Sequence, residues 1–254
     1  MKLVILAGGL GSRISEETYD KPKPLIEIGG KPIIWHIMKY YEKFGFNEFI
    51  ICCGYKGYKI KQFFRDYYTN NANLIIDTSL NEINTISVPK EKWKIHLIDT
   101  GSETMTGGRI KRVEKFLKKE DFFCLTYGDG LSDVNIDNLL KFHKNHKKLA
   151  TLTSFNSSGR FGILDIKKNK VISFKEKPND FINIGFFVLS PKVIKFIKND
   201  STIWEKEPMS ILAKKNNLMS FAHKGFFHPM DTLRDKYYLE NLWKKNKAPW
   251  KVWK

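Results

Sequence analysis

The stretch Leu3-Val-Ile-Leu-Ala-Gly-Gly-Leu-Gly-Ser-Arg13 decides the fold. Its first five residues form a continuous apolar run, which is typical of a strand buried on both faces. Three glycines within four positions follow, and they let backbone N–H groups approach a ligand closely and form an anion-binding nest. Arg13 adds a fixed positive charge that can contact two phosphate oxygens at once. The stretch therefore predicts a buried strand that runs into a phosphate-binding turn.

This turn differs from two common phosphate-binding motifs. It lacks the Gly-Lys-Ser/Thr ending of a P-loop, and Ile14 stands where a dinucleotide fingerprint has its third glycine. A structural turn without a ligand is the alternative interpretation of these glycines, and the arginine that follows them weakens it.

Outward from this stretch, short apolar runs alternate with segments of helical periodicity. The pattern predicts strands at 2–7, 47–53, 93–99, 121–127 and 149–155, and helices at 33–44, 57–68, 108–118 and 135–147. Such alternation indicates an α/β fold, with a Rossmann-like, mainly parallel mixed sheet that carries helices on both faces. Ligands of these sheets bind at the carboxyl ends of the strands.

The remaining segments are additions to this framework. The segment at about 70–92 is rich in polar and β-branched residues and is too long for a plain loop. It therefore predicts an inserted hairpin or lid. Shorter strands at 160–166, 170–175 and 182–190 indicate a small C-terminal extension, with helices near 191–197, 205–215 and 232–245. We expect one domain over 1–240 and a Trp/Lys-rich tail, 241–254, packed on the domain or on a neighbouring subunit.

The charge pattern narrows the choice of ligand. The 254 residues carry a formal net charge of +17, but 38 of the 44 basic residues are lysine, whereas proteins that read bases lean on arginine. An anionic small substrate is therefore favoured over nucleic acid, and no apolar stretch is long enough for a membrane span. The three cysteines form no disulfide framework or zinc motif, so a reduced, cytoplasmic environment is expected.

Three further residues are candidates for charge chemistry. Prolines on both sides of Lys23 hold its backbone extended and present a positioned cation. Asp129, between glycines at the end of the strand 121–127, is placed to hold Mg²⁺, which prefers one or two carboxylates plus phosphates. Asp231 is a candidate second ligand, and the N-cap of the helix 232–245 is its alternative role.

Two other segments repeat these themes. The polar stretch Asp99–Arg109 opens a helix, whose free N–H groups could bind an anion or the edge of a base. Glu176-Lys177-Pro178 presents a second proline-braced lysine. No nucleophile motif occurs, and His143 and His146 are interpreted as surface residues. The anion-binding nest, the proline-braced lysines and the paired carboxylates together indicate phosphoryl-type transfer. If the nucleophile is itself a phosphate, it is ionised near neutrality and needs no general base.

At these motifs the chain resembles the sugar-1-phosphate nucleotidyltransferases. The general signature is the turn Gly8–Arg13 followed by Pro22-Lys-Pro24 and Gly30-Lys-Pro32. A narrower match runs through Ile50-Ile-Cys-Cys-Gly-Tyr-Lys-Gly-Tyr58, Met105-Thr-Gly-Gly-Arg109, Tyr127-Gly-Asp-Gly130, Gly159-Arg-Phe-Gly162, Glu176-Lys-Pro178 and Pro229-Met-Asp-Thr-Leu-Arg-Asp235, and covers nearly the whole chain.

The resemblance implies transfer of the cytidylyl group of CTP to α-D-glucose 1-phosphate, with Mg²⁺, giving CDP-glucose and pyrophosphate for surface-polysaccharide sugars. It implies Arg13 and Lys23 as catalytic residues and Asp129 with Asp231 as metal ligands. The implied nucleotide contacts are Leu6, Ala7, Gly8, Gly9, Leu10, Gly11, Ser12, Arg13, Lys23, Thr104, Arg109 and Gly128, and the implied sugar-phosphate contacts are Glu176, Lys177 and Asn183. It also implies a homo-oligomer, commonly a hexamer.

One departure bears on the acceptor. The family usually has Asn-Gly-Gly in the sugar-side strand, whereas this chain has Asn183-Ile-Gly185. On a regular strand Ile184 points opposite to Asn183, into the core, and glucose 1-phosphate is expected to remain the acceptor. A bulge at Gly185 would instead turn Ile184 towards the sugar and select a different or smaller one. Another nucleotide or phosphorylated acceptor, and a basic binding module for RNA or membrane, are the open alternatives.

Overall fold

The computed structural model describes residues 1–87, 89–158, 163–175 and 179–253. The strands in chain order are β1 Lys2–Ala7, β2 Glu27–Ile28, β3 Lys31–Pro32, β4 Glu48–Cys53, β5 Leu74–Asp77, β6 Glu82–Thr85, β7 Lys94–Asp99, β8 Phe123–Tyr127, β9 Gly130–Ser132, β10 Ala150–Ser158, β11 Ile163–Lys167, β12 Lys170–Lys175, β13 Asn179–Leu189, β14 Leu218–His223 and β15 Phe227–Pro229. The helices are α1 Ser15–Thr18, α2 Ile33–Glu42, α3 Gly57–Arg65, α4 Tyr67–Asn70, α5 Thr106–Arg112, α6 Ile136–His146, α7 Glu207–Lys214 and α8 Leu233–Lys244.

The centre of the molecule is a seven-stranded sheet in the order β14-β10-β13-β8-β1-β4-β7. Strand β1 pairs in parallel with β4 and β8, β4 pairs in parallel with β7, and β10 pairs in parallel with β14. Only β13 runs against its neighbours β10 and β8. The predicted α/β fold with a mainly parallel mixed sheet is confirmed.

Helices cover both faces of this sheet because the apolar run of β1 alternates between two cores. Leu3 and Ile5 belong to a core built with α2, α6 and α8, whereas Val4 and Leu6 belong to a second core built with α5 and α7. All four side chains are buried. A strand with apolar residues at every position therefore fits the centre of a three-layer sandwich, where each side of the strand needs its own core.

Element boundaries differ from the predicted ones where helices end. The predicted helix 108–118 is α5, which begins at Thr106, ends at Arg112 and is followed by a short 3-10 turn, Glu114–Phe116. The predicted helix 57–68 is divided into α3 and α4 at Asp66. The surface assignment of His143 is wrong, because its side chain is buried, whereas His146 is half-buried. Both rings lie within hydrogen-bond distance of the Thr151 hydroxyl, at 2.8 and 2.7 Å.

Two small hairpins and the tail are added to this framework. The inserted hairpin is β5 and β6, paired antiparallel, and β11 pairs with β12 in a second hairpin. In the tail, Trp250 is fully buried and stacks on Phe226 at a centroid distance of 5.6 Å, while Trp253 packs edge-on against Trp35. These contacts lie within one chain. The division at residue 240 stays a prediction.

His36, on α2, joins the tail to the framework. Its Nε2 lies 2.7 Å from the carbonyl oxygen of Ile28, and the indole N–H of Trp250 donates to its Nδ1 at 3.4 Å. The ring is fully buried, and burial lowers the pKa of His36 to about 4, because a charged imidazolium would lose its hydration there. Burial also lowers the pKa of His143 to about 4.

We expect the free energy of unfolding to fall as the pH is lowered from about 6.5. Both histidines have a folded pKa below the unfolded value, so the unfolded chain binds more protons and acid favours it. Each contributes a loss of about 1.5 kcal/mol between pH 6.5 and 5. Urea unfolding of wild type and His36→Gln at both pH values measures this, since the variant should lose about half of the change. An equal pH dependence in both proteins would contradict it.

Candidate functional site

A cleft of about 750 Å³ opens at the carboxyl ends of β1 and β8. Its walls are the glycine-rich turn, the start of α5, the end of β8, the bulged part of β13 and the segment after β15. The lining residues are Leu6, Ala7, Gly8, Gly9, Leu10, Gly11, Ser12, Arg13, Lys23, Pro24, Ser102, Glu103, Thr104, Met105, Thr106, Arg109, Tyr127, Gly128, Asp129, Gly130, Ile182, Asn183, Ile184, Phe227, Pro229 and Asp231. The described residues among those predicted from the sequence all lie in this one cleft.

The Lys23 ammonium lies between two carboxylates at the floor of the cleft. Its Nζ donates to Asp129 Oδ2 at 2.7 Å and to Asp231 Oδ1 at 2.6 Å, and Arg13 donates to the other oxygen of Asp231 at 2.7 Å. The lysine is 7% exposed, so its charge depends on these partners rather than on water. The four charged groups therefore form one connected network.

A small ladder explains how residues a hundred positions apart meet. Strand β9 begins directly after Asp129, and β15 ends directly before Met230, so the antiparallel pair Pro229 and Gly130 places the two segments side by side. The backbone N–H of Met230 donates to the carbonyl of Asp129 at 2.8 Å. The alternative role of Asp231 as N-cap is wrong, because Thr232 caps α8 in a capping box with Asp235.

The glycine-rich turn is built around Arg109. The guanidinium of this buried residue donates to the carbonyls of Gly8, Cys53, Gly101 and Ser102 and to the Thr100 hydroxyl, at 2.7–3.3 Å. It therefore ties the turn to the ends of β4 and β7. Burial lowers the pKa of Arg109, because the charged form is partly shielded from water. With its donors directed at these loops, Arg109 acts on the turn as a positioning residue.

The start of α5 carries fewer free N–H groups than the sequence indicated. The N–H groups of Gly107 and Gly108 donate to the carbonyl of Thr202, at 2.9 and 3.3 Å, and that of Met105 donates to Asp200. Thr104 is buried beside them and lines the cleft. An anion at this helix terminus would therefore compete with the carbonyl groups of Asp200 and Thr202 for these N–H groups.

The sugar-side strand is bulged, so the expected regular strand is wrong. Register with β10 shifts between Leu152, which pairs with Phe187, and Ser154, which pairs with Asn183. Gly185 has a φ of +80°, and a Cβ there would lie 2.2 Å from the Tyr127 ring. Glycine is therefore required at this position. Ile184 is only 3% exposed and packs in the core with one edge at the cleft, so the bulge does not turn it out into the site.

Some sugar-side predictions lie outside the described residues. Glu176 and Lys177 belong to this group, as do Pro178 and the motif Gly159–Gly162. Asn183 is described: it lines the cleft, and its side-chain oxygen accepts from the Gly185 N–H at 3.0 Å.

Among the residues that sequence reasoning missed are Tyr127, in the wall of the cleft, and Glu205, behind that wall. Tyr127 lines it directly, and its hydroxyl donates to Glu205, which lies on the loop before α7. The position of Tyr127 immediately before Gly128-Asp129 was an available signal. Glu205 carried none, because only the fold brings its loop beside the end of β8.

The residues present fit a magnesium ion. Two carboxylate oxygens, Asp129 Oδ2 and Asp231 Oδ1, approach a single cationic atom within 2.7 Å, so they can share one cation. Among the described residues no group of three or more His, Cys, Asp or Glu side chains forms a metal site. Two carboxylates suffice for Mg²⁺ when phosphates supply further ligands.

We expect Gly8→Ala to destabilise the protein and Gly9→Ala to be tolerated. A Cβ on Gly8 would lie 2.2 Å from the Arg109 guanidinium, which five hydrogen bonds hold in place, whereas nothing lies within 4 Å of a Cβ on Gly9. Overpacking of this kind costs about 1–3 kcal/mol. Urea unfolding of both variants measures it, and equal stabilities would contradict the role given to Arg109.

A family model described as nucleotidyl transferase matches residues 2–232. The chain is 54% identical to a glucose-1-phosphate cytidylyltransferase of Salmonella typhimurium and 43% identical to a probable glucose-1-phosphate cytidylyltransferase of Bacillus subtilis, with complete coverage of both chains in each comparison. Among solved structures, HddC from Yersinia pseudotuberculosis complexed with GMP-PN has a TM-score of 0.69 at 25% identity, covering 95% of this chain and 99% of that one. A UDP-glucose pyrophosphorylase complexed with UDP-glucose shares the fold, with a TM-score of 0.69 at 16% identity over 96% and 98% of the chains. The resemblance inferred from the motifs is confirmed, and the chain belongs to the nucleotidyl transferase family.

Proposed function

We propose that this chain transfers the cytidylyl group of CTP to α-D-glucose 1-phosphate and releases CDP-glucose and pyrophosphate. The observation that carries the proposal is the network of Lys23, Arg13, Asp129 and Asp231 beside the glycine-rich turn. It places two cations and a carboxylate pair in one cleft, which is what transfer between two phosphates requires. The name of the Salmonella relative, 54% identical over its full length, supports CTP and glucose 1-phosphate as the substrates.

The reaction needs charge neutralisation more than proton transfer. A phosphate oxygen of glucose 1-phosphate attacks the α-phosphorus of CTP, a P–O bond forms, and the bond from that phosphorus to the oxygen of the leaving pyrophosphate breaks. The attacking phosphate is ionised near neutrality, since its second pKa is about 6, so no general base is required. Lys23 and Arg13 offset the charge that builds on the triphosphate, and each exchanges a carboxylate partner for phosphate oxygens.

Asp129 and Asp231 are the residues that would hold Mg²⁺. When bound, the ion supplies positive charge to the phosphates of the nucleotide. Before substrate and Mg²⁺ bind, the same carboxylates bind the Lys23 ammonium, so the charges in the site are balanced. The nucleotide half is assigned to the turn Leu6–Ser12, Thr104, Arg109 and Gly128, and the sugar half to Asn183 with Glu176 and Lys177.

Pyrophosphate release from each of the four NTPs with a set of sugar 1-phosphates tests the proposed substrates. CTP with glucose 1-phosphate should give the highest kcat/KM. A clear preference for another nucleotide or another phosphorylated acceptor would keep the reaction class and replace the substrates, whereas no release from any pair would overturn the proposal.

We expect Asp231→Asn to lower activity at least about 100-fold and to raise the Mg²⁺ concentration needed for half-maximal rate. The amide removes one negative charge from the metal ligands, and losing about 2.7 kcal/mol of transition-state stabilisation corresponds to a 100-fold slower rate. The cap of α8 should stay intact, because Thr232 and Asp235 form it without Asp231. Kinetics against Mg²⁺ concentration, with Asp129→Asn as a parallel variant, give the answer. A normal Mg²⁺ dependence in Asp231→Asn would remove it from the metal site.

The proposal includes a cytoplasmic homo-oligomer, and a hexamer is the state that the family resemblance implies. No helix in the described part of the chain is long and apolar enough to cross a membrane. The hairpin β5–β6 exposes Ile75, Ile76, Ile83 and Ile86, each more than half exposed, and residues 66–89 contain no lysine or arginine in a chain of net charge +17. An apolar patch with three acidic residues around it suits the basic surface of a second copy.

We expect Ile76→Lys with Ile83→Lys to shift the chain towards monomer. The two side chains pair across the hairpin on one face, so two added charges would oppose burial of that face. Sedimentation velocity of wild type and the double variant measures the assembly, with Val171→Lys on the exposed hairpin β11–β12 as a matched control. An unchanged assembly in the double variant would exclude this face as the contact.

A further inference from the structure

Glu205 connects two walls of the cleft, the end of β8 and the start of α5, without lining it. Its Oε1 accepts the hydroxyl proton of Tyr127, at the end of β8, and its Oε2 accepts that of Thr106, the first residue of α5, at 2.6 Å. Thr106 in turn accepts the backbone N–H of Trp204 at 2.9 Å, which holds the loop that carries Glu205 in place. Both carboxylate oxygens are thus directed at hydroxyl donors on different elements.

This arrangement sets the hydrogen-bonding role of Tyr127. A phenol has one proton to donate, and Tyr127 gives it to Glu205, so its oxygen can only accept from any other neighbour. The ring cannot move aside, because the backbone of Gly185 lies directly against it. Burial, followed by the Glu205 charge, raises the pKa of Tyr127 well above its ordinary value, so the proton stays on the phenol.

Asn183 lies on the strand segment that rests against the Tyr127 ring. Its Oδ1 accepts the N–H of Gly185 at 3.0 Å, and Gly185 is the residue whose backbone lies against that ring. An amide whose oxygen accepts a backbone N–H has a defined orientation, with its nitrogen directed away from that bond. Asn183 is exposed to the cleft, so its amide N–H groups are available to a ligand.

We propose that Glu205 is a positioning residue for the sugar 1-phosphate: it holds Tyr127 in place against the bulge at Gly185, and thereby fixes the strand segment from which the Asn183 amide donates a hydrogen bond to the acceptor substrate. The inference rests on the proposed function and extends it to a residue outside the cleft. Its bond to Thr106 couples this orientation to the start of α5, beside the nucleotide half. The group that the Asn183 amide would bind is an oxygen of the sugar or of its phosphate, which accepts the hydrogen bond.

Steady-state kinetics of Glu205→Gln, with CTP and glucose 1-phosphate varied separately, test the proposal. Glutamine keeps the volume but offers one acceptor and one amide donor, so it cannot accept from both hydroxyls. We expect the KM for glucose 1-phosphate to rise about tenfold, as when one well-placed hydrogen bond is lost, while the KM for CTP changes less than about twofold. Tyr127→Phe should behave alike, and the double variant should be no worse than either single one.

Glu207→Gln is the matched control, because Glu207 lies two residues away, is paired with Lys198 on the surface and contacts none of the cleft. It should match wild type in both KM values. In Glu205→Gln, equal rises in both KM values or a loss of kcat alone would overturn the positioning role, and so would additive effects in the double variant. If Glu205→Gln fails to fold, the same comparison of KM values in Tyr127→Phe tests the proposal. If the wild type itself releases no pyrophosphate from CTP and glucose 1-phosphate, the proposed function is wrong. If the wild type is active and Glu205→Gln has the same kinetics, only the positioning role of Glu205 is wrong.

Discussion

The bond of Lys23 to both Asp129 and Asp231 is the interaction on which the rest of the site depends. A buried ammonium is unfavourable without partners, and two carboxylates so close to each other repel without a cation. Each group therefore stabilises the others in place. The small ladder of β9 and β15 keeps the two carboxylates side by side, and the 3-10 turn that begins at Lys23 holds the lysine below them. The consequence for the proposed reaction is that two cations and the two carboxylates that would hold Mg²⁺ are already together in the cleft.

A second buried charge, that of Arg109, holds backbone segments in place. Arg109 is surrounded by carbonyl groups of three loops, and the glycine at position 8 leaves just enough space for its guanidinium. An arginine is suited to this because its planar fork presents several donors from one rigid group, whereas lysine presents a single ammonium. The resemblance assigns this residue to the nucleotide. Its observed contacts make it a support for the turn that would bind the triphosphate, so its effect on the nucleotide passes through the position of that turn.

The part of the cleft proposed for the sugar is organised by hydroxyl and amide groups. The bulge at Gly185 brings the backbone onto the Tyr127 ring, and the side-chain oxygen of Asn183 accepts the Gly185 N–H within that bulge. Ile184, in which the sequence departs from the family pattern, is absorbed by the core on the far side. The bonds of Asn183 to the bulge and of Tyr127 to Glu205 therefore do not involve the Ile184 side chain. In the proposed reaction, charged groups contact phosphate on one side of the cleft, and the Asn183 amide contacts the acceptor on the other.

Local sequence patterns were sufficient for the mainly parallel sheet, the two-sided helical cover and most of the cleft. Apolar runs, glycine density and proline-braced lysines depend on near neighbours in the chain, and near neighbours are visible in a sequence. The sequence could not decide whether Asp231 caps a helix or faces Asp129, because that depends on the pairing of β9 with β15 across a hundred residues. It could not show that Gly185 is bulged, that His143 is buried, or that Glu205 reaches Tyr127. These were decided by tertiary structure, since burial and hydrogen bonding between distant segments arise only when the sheet brings those segments together.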